Sequence, residues 1–528
     1  MKNGIFFVID SCRFDSLNDE KKRRFLFPNL NKIINKSSFF KCVANAQSTQ
    51  FVLPSLFSLS YPLDYGGYDT GIRNRPLSIV EFLKKKGYQT FFMSNCNQVG
   101  IANGYDRGFD EIKACVDFKT LLEQKISRTL KPQYLKEKKK SKIKAKKYLK
   151  KEFGIFLDYS IKNIEHFDKS IWTKKLLISN NELVNLFRLE KKILDQNIEE
   201  IEKKIEKIQP GNYKDFLGKK NVSNFEIFIN RLYSAFIWRF RLLLSKNPNI
   251  FPFMWLGHIT VKFNKIKFYF YEIIKKLNKS KKPFFLYFHC MDVHDNRDIS
   301  DFKNYFLKFY FLFKWIYARF NNLTNRRFNY DASLMLLDEH LKKLIHILSG
   351  KEYKNTILLI TSDHGYGNAS TRPKRKKLFK ENFLEMYRED LEVPVIIFEN
   401  KKKFSKKSFL IDTISTSRIF LERLGFELLP NFFKGKYINK KKFVISEHAG
   451  RGSADMMSNN LYFTITTSKD KLFTVIEKNK LNTVAYFDLI KDPDEQYNLI
   501  NDKNYKEKIN LLLDILKKER NDIIKTRC

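Results

Sequence analysis

Cysteine is sparse in these 528 residues: Cys12, Cys42, Cys96, Cys115, Cys290 and Cys528 are scattered, with no C-x-x-C pair. That spacing excludes a disulfide scaffold or a zinc knot and points to a reduced, intracellular protein. No apolar run reaches the roughly 18 residues that a membrane-spanning helix needs. The opening MKNGIFFVIDSCRFDS is too short in its apolar part for a signal peptide, and Asp10 follows that part at once, so it reads as a buried strand. Long polar tracts are also missing. With 43% hydrophobic and 15% aromatic residues, the chain is globular, with disorder at most local. Acidic residues are outnumbered, 58 Asp+Glu against 99 Lys+Arg, for a formal charge of +41. Such a charge favours polyanionic partners, although lysine, asparagine, phenylalanine and isoleucine are abundant together and part of the excess is a chain-wide bias. No RNA- or DNA-binding motif is present, so nucleic acid is set aside.

What is present is a βαβ rhythm of short apolar runs between helical patterns. Strands are predicted at Gly4–Ile9, Gln89–Ser94, Phe284–His289, Thr356–Thr361 and Val393–Phe398, and helices at Asn29–Lys36, Pro54–Ser60, Ser78–Lys86 and Asp331–Leu348. The last carries Leu334, Leu337, Leu341, Leu344 and Ile345 at helical spacing. The implied fold class is α/β, a doubly wound, mainly parallel sheet flanked by helices. Its catalytic core takes residues 1–115 and 281–400. Residues 116–280 form a lysine- and aromatic-rich, mainly helical insertion, and 401–528 a smaller antiparallel subdomain with a terminal helix. Basic-aromatic stretches within 234–274 and at 304–320 (NYFLKFYFLFKWIYARF) read either as helices packed on the core or a partner, or as a peripheral contact with anionic lipid.

In a doubly wound sheet, functional groups gather beyond the carboxyl ends of the strands. Here GIFFVI delivers Asp10, TILLIT delivers Ser362, Asp363 and His364, and PFFLYF delivers His289, Asp292 and His294. Carboxylate oxygen with imidazole nitrogen suits zinc or manganese better than the all-oxygen shell of calcium. Such a metal polarises an ester oxygen.

These residues carry a resemblance. FFVIDSCRFDSL with FPNLNKIINKSSFF, then QSTQFVLPSLFSLSYP, PLSIVEFLKKKGYQTFFMSN, FLYFHCMDVHD, NTILLITSDHGYGN and YFDLIKDPDEQYNLI, resemble in order the blocks of sulfatase-like proteins of the alkaline phosphatase superfamily, over about residues 1–112 and 283–500. The C-x-P-S-R motif, whose cysteine becomes formylglycine, aligns Val52 where that cysteine would stand, which argues against a formylglycine sulfatase. The segment around Thr49, five positions before Pro54, is more similar to the phosphoethanolamine-transferase branch, with Ser48 and Ser55 as fallback nucleophiles.

The resemblance implies a metal-dependent phosphoric or sulfuric ester hydrolase or transferase. One divalent ion, Zn or Mn, would be held by Asp10, Thr49, Asp363 and His364. Thr49 would be the nucleophile, His294 the group that protonates the leaving oxygen, and His289, Arg13 and Arg451 substrate contacts. Ser11 stands where sulfatases carry a second acidic residue. Thr49 could instead merely cap a helix. Two alternatives stay open: a formylglycine-independent sulfatase or phosphodiesterase, and a non-catalytic scaffold of the same fold. The expected location is cytoplasmic, at most peripheral at the inner membrane face, with a lipid-linked or glycan ester as substrate.

Overall fold

The computed structural model describes residues 1–68, 71–96, 99, 103–114, 122–123, 125–168, 180–244, 263–280, 282–294, 302–367, 378, 386–400, 405–427, 442–449 and 460–528. Eight strands form one sheet: β1 (Asn3–Ile9), β2 (Ser37–Val43), β3 (Gln89–Ser94), β4 (Glu111–Ala114), β5 (Phe284–Cys290), β6 (Thr356–Thr361), β7 (Glu392–Glu399) and β8 (Ser405–Asp412), in the order β4-β3-β5-β1-β6-β7-β2-β8. All neighbours pair in parallel except β7, which is antiparallel to both β6 and β2.

The central strands read as unbroken apolar runs because both faces are covered. Phe6, Val8, Phe285, Tyr287, Ile357 and Leu359 pack into one core layer. Their neighbours in sequence, among them Ile5, Phe7, Leu286, Phe288, Leu358 and Ile360, pack into the other. Alternation by two thus feeds two cores from one sheet. The Phe328–Leu348 helix buries Leu334, Leu337, Leu341 and Leu344 against the second core, the face its sequence spacing predicts.

Between β4 and β5 the described residues contain helices and no strand, notably Lys142–Asp168, Asn180–Gln196, Ile198–Lys207, Asn224–Leu244 and Phe263–Asn278. After β8, a second, antiparallel sheet of four strands follows: β9 (Phe443–His448), β10 (Leu461–Thr467), β11 (Asp470–Glu477) and β12 (Lys480–Asp488), in the order β12-β11-β10-β9, and the Lys506–Glu519 helix comes after it. The architecture is therefore α/β, with a helical insertion and a smaller antiparallel unit. The helix that contains Pro54 begins five residues earlier than its sequence predicts. Proline usually opens a helix, but Pro54 lies inside the Thr49–Ser58 helix, capped at Ser48, where nine of ten side chains are buried and tertiary packing overrides the lost N–H.

Candidate active site

β1 lies between β5 and β6 at the middle of the sheet, and the register sets Val8 level with both His289 and Thr361. The three strands therefore end side by side, the Asp10 amide bonding the Cys290 carbonyl at 2.9 Å. Chain segments more than 270 residues apart converge there, and Asp10, His289 and Asp363 are fully buried.

Asp10 is aimed by its successor. Ser11 adopts φ 65°, a left-handed conformation uncommon for a side chain with a Cβ. Three contacts hold it there: Ser11 N donates to Asp363 Oδ1 at 3.3 Å, its hydroxyl donates to Asp10 Oδ1 at 2.8 Å, and its carbonyl accepts from the Tyr330 hydroxyl at 2.9 Å. On the far side, Ser362 accepts from Cys12 N at 2.8 Å and donates to the His364 carbonyl at 2.7 Å, tying the two strand ends together. Gly365 is required where it stands, because a Cβ there would run into the Glu389 carbonyl.

Thr49 enters from the first turn of its helix. Its Oγ1 lies 3.0 Å from Asp10 Oδ2 and 3.2 Å from His364 Nε2, so the hydroxyl faces the strand ends; Ser48 is the residue at the cap position. The helix amino terminus adds positive partial charge, which favours an anion at this position. Ser55 donates instead to the Ser60 carbonyl, and Val52 is buried in a separate apolar cluster with Val43, Ala44 and Met386.

The proton inventory shows what the site can accept. His364 Nδ1 lies 2.6 Å from the Gly365 carbonyl, which can only accept, so Nδ1 carries the proton and Nε2 presents a lone pair. That lone pair lies 3.6 Å from both Asp10 Oδ1 and Asp363 Oδ2. Among the described residues, buried Asp363 Oδ2 has no hydrogen-bond partner. The single Thr49 hydroxyl proton cannot serve both Asp10 Oδ2 and His364 Nε2. Lone pairs outnumber protons, and a cation resolves the excess. Asp10, Asp363 and His364 form one group with ligand atoms within 4.8 Å of one another, and Asp10, Cys96 and His289 form a second.

His289 Nε2 lies 3.2 Å from Asp10 Oδ2 and its Nδ1 3.0 Å from the Tyr287 hydroxyl, so it is an inner member of this cluster. His294 is half-buried, its ring 6.4 Å from Tyr366. Burial alone would raise the Asp10 carboxyl, but His294 and the His289 hydrogen bond outweigh it and hold Asp10 well below the usual carboxylate range. Arg13 is turned to Asp15, with Nε and NH2 at 3.0 and 2.6 Å from the two carboxylate oxygens, while its buried NH1 has no hydrogen-bond partner among the described residues. Arg451 lies outside the described residues. Sequence reasoning missed Cys96, whose only signal is its place two residues beyond the end of β3, and Tyr330, which braces Ser11 from a distant helix.

Comparison with known proteins follows the same line. The sulfatase family model matches residues 2–414. An arylsulfatase of Clostridium perfringens is 30% identical over 207 residues, covering 36% of this chain and 39% of that protein, so the match spans about two fifths of the curated relative's length. In fold, the chain is similar to the phosphonate monoester hydrolase of Agrobacterium radiobacter (TM-score 0.51, 12% identity, 99% and 96% of the two chains covered). It is similar also to Ps i-CgsB crystallised with k-i-k-neocarrahexaose (TM-score 0.52, 14% identity, 99% and 92% covered). With its ligand-rich strand ends on a mainly parallel sheet, the chain belongs to the sulfatase family.

Proposed function

We propose that the chain is a metal-dependent hydrolase or transferase of phosphoric esters that uses Thr49 as its nucleophile. The observation that carries this reading is the position of Thr49 Oγ1 between Asp10 Oδ2 and His364 Nε2, at 3.0 and 3.2 Å. Asp10, Asp363, His364 and Thr49 would hold one divalent ion, zinc or manganese by donor type. When bound, the ion supplies Lewis-acid charge that stabilises the anion developing on the transferred group.

The chain's own residues do the rest. Asp10 orients the Thr49 hydroxyl, whose proton passes to solvent as Oγ1 bonds phosphorus, and the bond to the leaving oxygen breaks on the opposite side. His294, at the half-buried rim, gives that oxygen a proton. Water, or an acceptor hydroxyl, then attacks phosphorus, the Thr49 Oγ1–P bond breaks, and both groups recover their starting protonation. His289 fixes the orientation of Asp10 throughout.

Thr49→Ala is expected to cut turnover of an aryl phosphoester on the order of 10⁴-fold even with metal in excess, held by Asp10, Asp363 and His364, and to abolish the phosphorylated Thr49 peptide expected by mass spectrometry in the wild type. Full activity in that variant would sink the assignment. The family and the arylsulfatase relative favour a second reading, sulfate-ester cleavage without formylglycine. Aryl sulfate, phosphomonoester and phosphodiester assayed side by side separate the two.

A further inference from the structure

The Phe302–Phe320 helix, FKNYFLKFYFLFKWIYARF, is apolar on both sides. Phe311 and Ala318 are buried in the second core and Leu307, Leu312 and Trp315 pack against it, with Trp315 edge-on to Phe328 at 5.8 Å. The other side carries Phe309, Tyr310, Phe313, Tyr317 and Phe320, all exposed, Phe320 to 85%. A water-facing helix ordinarily turns a polar stripe outward, and one apolar all round is covered by something. No helix among the described residues is long and apolar enough to cross a membrane. A surface position is left.

Charge selects the cover. The helix contains no acidic residue and four cations, Lys303, Lys308, Lys314 and Arg319. At its carboxyl end a cavity of about 710 Å³ opens, lined among others by Arg319, Thr324 and Asn322 and, from the neighbouring Glu20–Leu26 helix, by Lys21 and Lys22. Lys21 and Arg319 are exposed, and buried Lys22 donates from Nζ to the Asp15 carbonyl at 2.8 Å. The carboxylate on the lining, Asp19, is engaged as the cap of that helix, accepting from Lys22 N at 2.7 Å. Phe25 of the same short helix stacks obliquely on Tyr317 at 5.2 Å, so cavity and aromatic face are parts of one surface.

We propose that this surface docks on an anionic phospholipid membrane: Phe309, Tyr310, Phe313, Tyr317 and Phe320 enter the boundary of head groups and acyl chains, and the Lys21–Arg319 cavity takes a lipid phosphate. An aromatic face rimmed by lysine and arginine is the composition that lies in a bilayer interface and is drawn to negative lipid. The assignment is independent of the chemistry at Thr49.

The test is flotation of the full chain with vesicles of phosphatidylcholine alone or mixed with phosphatidylglycerol. Binding is expected on the mixed vesicles only, weakening with salt. Lys21→Gln and Arg319→Gln are each expected to weaken it about fivefold. The triple change Phe313→Ser, Tyr317→Ser, Phe320→Ser is expected to abolish it, with hydrolysis of a soluble aryl ester and the melting temperature unchanged. Equal binding to both vesicle types, or wild-type binding by the triple variant, overturns the proposal. So does displacement by millimolar inorganic phosphate, which would make the cavity a site for free phosphate. A dimer seen by light scattering in the wild type and lost in the triple variant overturns it as well, because the occupant would then be a second copy of the chain.

Discussion

His448, the last residue of β9, has no room to be charged. It is buried, with Phe51 edge-on at 4.5 Å and Tyr462 at 6.1 Å, and burial pushes its pKa down to about 3. The unfolded chain protonates it near the ordinary histidine value of about 6.5. Between those limits the unfolded state binds more protons, so the stability from a neutral His448 is complete above about pH 6.5 and drains away as pH falls toward 3. Urea unfolding at pH 7.5 and pH 5 should differ by on the order of 1–3 kcal/mol from this group, and His448→Gln should flatten that part of the profile. An unchanged pH slope in the variant would count against this account. At the same scale, Asp10, Asp363 and His364 announce themselves in the sequence because strands deliver them. Cys96 and Tyr330 do not: Cys96 ends no recognisable motif, and Tyr330 acts through a hydroxyl reaching Ser11 across 319 residues of chain.

Among elements, the helical insertion rests on a buried ion pair that its surface charges conceal. Lys204 Nζ lies 3.1 and 2.9 Å from the two oxygens of Glu190, both side chains fully buried; Glu190 also accepts from Tyr213 at 2.6 Å and from Gly218 N at 2.6 Å. Removing one charge strands the other without water. Lys204→Ala is expected to destabilise the protein by about 3–5 kcal/mol, read as a fall in the denaturation midpoint, whereas the paired change Lys204→Met with Glu190→Leu should recover most of it. In sequence Lys204 looks like one more solvated charge in the run ILDQNIEEIEKKIEKI, and Glu190 stands three residues before that run. The strands divide in the same way. β1, β5 and β6 are legible because burial on both faces leaves no polar positions. β8, SKKSFLID, is hidden by the lysines of an edge strand. β2, SSFFKCV, buries five of seven residues without regular alternation, so its period carries no signal.

For the molecule as a whole, the surplus of lone pairs between β1 and β6 is a cost that folding alone leaves in place and that a cation relieves. Divalent metal at about a hundredfold its Kd should stabilise the fold by about 2.7 kcal/mol, and scanning calorimetry with and without chelator reads that as a rise of a few degrees. Asp363→Ala should erase the metal-dependent rise. A chain whose melting is indifferent to every divalent ion would overturn the proposed centre.

The strand order has one more consequence, in time. β1 is synthesised well before its two sheet neighbours, β5 and β6, which begin at residues 284 and 356. At about 5–20 residues per second, roughly 20–70 s separate the synthesis of Asp10 from that of His364. Through that interval β1, six of whose seven residues are buried in the folded sheet, has no pairing partner on either edge, and the acids and imidazoles beyond it cannot meet. Shielding of the nascent strand, and assembly of the proposed metal centre only once β6 is made, are the demands this topology makes on the cell that builds it.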